Sequence, residues 1–200
     1  MPRVSGAYLA KRREQILEAA LRCFSRNGFH RATMQDIVRE AELSAGAIYR
    51  YFASKEDIVA AIASQRHAAE LNSLREATGG SDVRTGLQQL ARIFLGPLSI
   101  PGEQEWRRVT VQLWGEALRS ERVMDVVREG LDGPLEALES LIRRGQREGR
   151  VSPDLDAAAA ARVAGAIFQG LVLQQTWNPE IDIPACIRAA ETLLDGVVGK

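Results

Sequence analysis

The stretch Ser44-Ala45-Gly46-Ala47-Ile48-Tyr49-Arg50-Tyr51-Phe52 holds the residue types that contact with a nucleic-acid duplex requires. A helix entering a major groove needs small residues where its first turn meets the base edges and donors aimed at the phosphates on either side. Ala45, Gly46 and Ala47 allow that close approach. Tyr49 and Tyr51 carry hydroxyls on rigid arms, and Arg50 brings a planar fork of guanidinium donors. The same residues also suit an ordinary amphipathic helix with an aromatic stripe, and composition alone favours that blander reading. The surrounding elements decide between the two.

Those elements follow from apolar spacing. From Lys11 to Asn27, Ile16, Leu17, Ala20, Leu21 and Phe24 recur at three and four, with charges largely opposite, which predicts an amphipathic helix ended by Asn27-Gly28. Thr33 predicts an N-cap for Met34 to Ala41, with Asp36 as a capping-box partner. Glu42-Leu43 makes a tight turn, Ser44 caps a third helix, and Ser54 caps a fourth that starts at Lys55 with Glu56 and Asp57 at its positive end. Two short helices joined by so tight a turn form a helix-turn-helix.

Beyond this head the fourth helix runs to about Glu76, and Thr78-Gly79-Gly80 breaks it. Helical patterns then cover Val83 to Leu95, Glu103 to Leu118, Arg122 to Gly149, Asp154 to Gln175 and Pro184 to Val198. Gly130, Gly133 and Pro134 are expected to kink or split the helix that contains them. No segment sustains a strand-like alternation. The expected fold is all-α: a three-helix helix-turn-helix head over 1–55 and a larger helical bundle over 56–200, about nine helices in all.

The chain is neutral overall, yet residues 1–55 hold ten Lys and Arg against five Asp and Glu, so the balancing acidic excess lies in 56–200. A basic head faces phosphates and an acidic body avoids them, although an excess of this size also describes a merely solvated basic surface. Arg3, Lys11, Arg12 and Arg13 either form an arm over the adjacent backbone or minor groove or are a solvated helix start.

Gly28-Phe29, Thr33, Asp36-Ile37, Ala41, Leu43, Ser44, Gly46, Ile48-Tyr49, Tyr51-Phe52 and Ser54-Lys55 stand at one fixed register. From about Leu9 to Ile62 the chain resembles the DNA-binding head of the tetracycline-repressor (TetR) family of bacterial transcriptional regulators, and the remainder resembles it only in length, helicity and layout. The resemblance implies that Thr33 sets its hydroxyl and nearby amides on a phosphate, with Gln35 near the groove edge. It implies that Ser44, Ala45, Gly46 and Ala47 open the recognition helix toward the bases, that Tyr49, Tyr51 and Lys55 grip phosphate, and that Arg50 points to a base edge or to the backbone. Val38 departs from the family's more frequent alanine. Ala45 and Ala47 are short where long polar side chains would read bases, which shifts specificity to Gln35 and Arg50.

The family resemblance further implies a homodimer on a palindromic double-stranded DNA operator, paired through the last two helices. Asp154 to Gln175 is rich in small residues, and Ala160, Ala164, Ile167, Phe168 and Leu171, with Ile187, Ala190 and Leu194 of the last helix, are the expected interface, the alternative being intramolecular core. The middle helices would enclose a pocket for an unidentified small-molecule effector. Trp106, Thr110, Leu113 and Trp114 recur at three and four, with Phe94 and His67 on neighbouring helices, and this face is either pocket or core. The implied function is a repressor released by its effector; the alternative is a constitutive DNA-binding regulator without one.

Enzymatic activity is not expected. The two histidines, His30 and His67, accompany no nucleophile elbow, zinc-binding helix or nucleotide loop. Cys23 and Cys186 lack metal or redox spacing and read as inert thiols in a reducing compartment, with a redox sensor as the alternative. No metal, cofactor or membrane partner is expected. The N-terminus has no apolar leader and no uncharged apolar run reaches eighteen residues, so a cytoplasmic location is expected.

Overall fold

The computed structural model describes residues 6–78 and 82–195. Among these residues there are nine α-helices, two short 3-10 turns and no β-strand: α1 (Gly6–Asn27), α2 (Met34–Ala41), α3 (Ala45–Tyr49), α4 (Lys55–Thr78), α5 (Val83–Leu95), α6 (Gln104–Ala117), α7 (Glu121–Arg147), α8 (Ala157–Trp177) and α9 (Ile183–Asp195). The basic arm at Arg3, the break at Gly79-Gly80 and the last turn to Val198 lie outside the described residues. The chain divides into two compact units, one of residues 1–65 with 105–127 and the other of 66–104 with 128–200.

In the first unit the helix ends are set by local chemistry. Gly28 takes φ 82° and its N–H donates to the Phe24 carbonyl at 3.0 Å, which stops α1 in the left-handed conformation glycine adopts without a Cβ penalty. At α2 the Asp36 N–H donates to Thr33 Oγ1 at 3.2 Å and the Thr33 N–H to Asp36 Oδ2 at 2.9 Å, the reciprocal capping box expected from Thr33 and Asp36. Glu42 ends α2 at φ 53°, a left-handed residue with a full side chain, and so permits the tight turn into α3.

The third helix is shorter than its apolar pattern predicts. It ends at Tyr49, and the N–H groups of Tyr51 and Phe52 both turn back to the Ile48 carbonyl, at 2.9 and 3.1 Å. The next N–H groups, of Ala53 and Ser54, donate to Asp57 Oδ2 at 3.1 Å each, in the cap of α4. Those donors serve the fourth helix, so the third cannot extend through them.

Ile16, Phe24, Ile37, Ile48, Ile58 and Val59 are fully buried together in this unit. Burying each such side chain contributes about 1.5–3 kcal/mol before entropy is counted. Phe24 and Phe29 meet edge to face at 5.1 Å. Val109, Leu113, Ala117 and Val123 belong to the same core, so the head expected over 1–55 is completed here by 56–65 and 105–127.

The second unit packs α5 against α9 and the latter part of α7, around Leu74, Val83, Leu87, Leu90, Leu141 and Ile142. Gln175 Nε2 donates to the Leu98 carbonyl at 2.8 Å and anchors α8 on the 3-10 turn after α5. Of the two outcomes expected at Gly130, Gly133 and Pro134, the split does not occur: α7 runs from Glu121 to Arg147 as one helix with Pro134 inside. A proline ring crowds the carbonyl four residues back, which here belongs to Gly130, and the missing N–H removes a single hydrogen bond from the helix.

Gly130 has a second function. A Cβ built there would lie 2.3 Å from His67 Nε2 and 2.5 Å from Cε1, so α4 and α7 approach where no side chain fits. Gly130→Ala is expected to destabilise the protein by about 1–3 kcal/mol, measured by urea unfolding. Adding His67→Ala should recover most of that loss; failure of the double variant to recover would place the strain elsewhere.

Candidate DNA interface and effector cavity

The expected DNA-contact residues all lie in the first unit. Thr33, Gln35, Ser44, Gly46, Tyr49 and Arg50 are all exposed, Ala45, Ala47, Tyr51 and Lys55 are half-buried, and Ile48 and Phe52 turn inward. Ser44 Oγ accepts the Ala47 N–H at 3.2 Å and holds the small-residue turn of α3 rigid. Tyr49 is 50% exposed although aromatic, which leaves its hydroxyl open to a partner. Tyr51 leans on Phe52, ring centroids 6.5 Å apart.

Lys55, expected to grip phosphate, is engaged within the head in this structure. Its ammonium donates to the carbonyls of Phe29 at 2.8 Å, His30 at 3.0 Å and Ala32 at 3.4 Å, and lies 4.8 Å from the centre of the Phe29 ring. It thereby ties the loop between α1 and α2, and so the capped start of α2, to the start of α4. From α6, Gln112 Oε1 accepts the Phe29 N–H of that same loop at 2.6 Å. Gln15 Nε2 donates to the Ala41 carbonyl at 2.7 Å and fixes the end of α2 on α1. Sequence spacing carries no sign of these three clamps, because each joins residues distant in the chain.

Several head cations are committed internally. Arg22 and Arg26 hold Glu40, and Arg39 holds Asp36. The Arg13 guanidinium lies 5.7 Å from the Phe52 ring centre. The Thr33 hydroxyl and N–H, followed by Arg39, keep the Asp36 carboxyl below the usual range, and Arg22 and Arg26 do the same for Glu40. With folded values depressed, the stability from these carboxylates is complete above about pH 4, where unfolded carboxylates ionise, and is lost as pH falls through the folded values. Thermal melts should therefore show the Tm dropping below about pH 4. The Asp36→Asn, Glu40→Gln double variant should start lower and fall less steeply; an identical acid profile would remove these groups from the account. Burial raises the pKa of the Cys23 thiol, which disfavours the reactive thiolate.

The second unit contains a cavity of about 560 Å³, within the range of small-molecule sites. Its walls come from Leu87, Leu90 and Phe94 of α5, Leu131, Pro134 and Leu138 of α7, Ala160, Ala164 and Phe168 of α8, and Ala190 and Leu193 of α9, with Glu70 of α4. Phe94 and Phe168 meet edge to face at 5.8 Å.

Of the expected pocket residues, Phe94 lines this cavity and His67 stands one turn before Glu70 against Gly130, a wall residue. Trp106, Thr110, Leu113 and Trp114 do not line it. Leu113 is buried in the core of the first unit, Trp106 packs against that core, Thr110 Oγ1 is buried without a partner, and Trp114 is half-buried. Spacing along α6 identified an inward face correctly but could not say which unit that face serves. Glu70 and the α7 wall were missed, since nothing in their local pattern separates cavity from core.

Of the expected interface residues, Ala160, Ala164, Ile167, Phe168 and Ala190 also line the cavity, and Leu171 and Ile187 are half-buried. The Leu194 side chain lies outside what is described. On α8 and α9, Val163, Ile167, Trp177 and Leu193 are exposed, and only 17% of the most apolar window of α8 is buried. By length and composition alone α8 would also suffice to cross a bilayer.

A capped helix-turn-helix in one unit and a cavity in a second, helical unit define a class, that of the helical DNA-binding regulators. Residues 16–62 match the family described as bacterial regulatory proteins, tetR family, and residues 83–199 match the C-terminal region of BetI-type transcriptional repressors. The chain belongs to the TetR family of bacterial transcriptional regulators. It is 29% identical over 174 residues to the HTH-type transcriptional regulator UidR of Escherichia coli, covering 86% of this chain and 82% of that one. The fatty acid degradation regulator FadR of Bacillus halodurans has the same fold, with TM-score 0.82 at 22% identity, covering 92% of this chain and 94% of that one. A regulator from Saccharomonospora viridis solved with choline matches at TM-score 0.81 and 25% identity, covering 96% and 100%.

Proposed function

We propose that this regulator is a repressor that binds a palindromic operator as a homodimer in the cytoplasm and leaves it when a small molecule fills the cavity among α4, α5, α7, α8 and α9. The observation that carries the reading is the pairing of an exposed, capped recognition edge with a separate apolar cavity, α4 contributing residues to both units. Thr33, Gln35, Ser44, Tyr49, Tyr51 and Arg50 make the DNA contacts. Ala45, Gly46 and Ala47 give close approach, and Lys55 acts on the operator through the loop it holds.

A single short helix reads too few bases for selectivity, so two heads set about 34 Å apart on successive major grooves are needed. The apolar faces of α8 and α9, with Val163, Ile167, Trp177 and Leu193 exposed, supply the surface on which a second copy closes. The solved relative that holds choline supports a small molecule in such a body. Effector and operator are antagonists by linkage: a ligand that favours a displaced α4 must bind that state about 10⁴-fold more tightly to reverse occupancy from 99:1 to 1:99.

Selection from a random duplex library at low ionic strength is expected to return an inverted repeat bound by two subunits. If each subunit neutralises about four phosphates, the log-log salt dependence of binding has a slope near −7. Recovery of no preferred duplex, or a single subunit at micromolar concentration, would overturn the proposal.

A further inference from the structure

The cavity has an uneven chemistry. Its described lining is Leu, Ala, Phe, Pro and other apolar residues with two carboxylates, Glu70 and Asp156, and no Lys, Arg or His. Asp156 is already employed as the N-cap of α8, where its Oδ1 accepts the N–H groups of Ala158 at 3.0 Å and Ala159 at 3.1 Å. Glu70 has no such duty. Arg66, one turn earlier on α4, bears on Glu70 electrostatically but donates to Glu103 at 2.5 Å. Burial raises the Glu70 pKa, the mark of a carboxylate that folding has moved away from water without a full countercharge.

We infer that the effector is an amphiphilic organic cation, its apolar body on the walls from α5, α7 and α8 and its ammonium head on the Glu70 carboxylate. The inference rests on reading this cavity as the effector site. A carboxylate or phosphate head meets two acids and no basic side chain in this lining, so an anionic amphiphile of the same length is rejected. A neutral one keeps the apolar contacts and loses the charge-assisted hydrogen bond. Because Glu70 lies on α4, the helix that begins at the Lys55 clamp, the contact that selects the head also acts on the helix that leads to the DNA-binding edge.

Calorimetric titration of the full chain with decylammonium, decanol and decanoate at neutral pH tests this, each paired with a measurement of operator affinity. Decylammonium is expected to bind at least about tenfold more tightly than decanol, and decanoate more weakly than either. Glu70→Gln should bring decylammonium to the decanol level while changing decanol by no more than about threefold, which also shows that the variant is folded. Asp156→Asn, which retains the cap, should preserve the preference for the cation. Decanoate binding as well as decylammonium, an unchanged preference in Glu70→Gln, its loss in Asp156→Asn, or no binding of any probe would each overturn the inference. Release of operator by all three probes alike leaves the effector reading standing and sinks the head-group assignment. Cation-selective binding that leaves operator affinity unchanged does the reverse.

Discussion

Tyr49→Ala is expected to weaken operator binding at least about tenfold while leaving the melting temperature within a degree or two of the parent, whereas Ile48→Ala, one residue earlier, does the opposite. The contrast follows from the turn of a single short helix. Tyr49 is half exposed, so its removal is expected to delete a hydrogen bond to a charged phosphate, about 1.5–3 kcal/mol per half-site, at little cost in packing. Ile48 is fully buried in the core of the first unit, and its truncation leaves a cavity costing about 2–5 kcal/mol in stability. Gel-shift titration alongside denaturant unfolding separates the two. Equal effects of both variants on stability would mean that Tyr49 is part of the core rather than of the DNA-binding edge.

The second large effect is expected at Lys55. Its ammonium satisfies three loop carbonyls, so Lys55→Met keeps the apolar stem and strands those acceptors, which destabilises the first unit by about 1–3 kcal/mol and loosens the start of α2. Operator affinity should fall as well, because Thr33 and its amides lose their fixed position. The salt dependence discriminates between routes. If Lys55 acts through the loop, the slope of log affinity against log salt is the same in the variant; if it grips phosphate directly, the slope shrinks by about 0.9 for each subunit. A variant of unchanged stability with the smaller slope would return Lys55 to the phosphate role that family resemblance implies.

Much of this architecture is legible in the sequence because it is written locally. The caps at Thr33, Ser44 and Ser54, the stop at Gly28 and the apolar spacing of α1 and α5 each involve residues within one or two turns of one another. Helix ends are less legible: α1 begins at Gly6 rather than Lys11, and α3 stops at Tyr49, where the next N–H groups, of Ala53 and Ser54, serve the cap of α4. At α7 the local breaker Pro134 lies inside one helix from Glu121 to Arg147, so its presence alone did not fix the helix end.

The sequence by itself determined the helical class, the helix-turn-helix and its capped helix ends, since hydrogen-bonding partners three or four residues apart and a period near 3.6 leave little freedom once caps are placed. Tertiary structure alone decided which inward faces are core and which are cavity. Trp106 and Leu113 share a pattern with any pocket-lining helix, yet belong to the core of the first unit, while Glu70, unremarked among its neighbours, becomes an acid in an apolar chamber. An apolar face is a property of one helix, but a void is a property of several at once, and their relative placement is set by packing over the whole chain rather than by any local stretch.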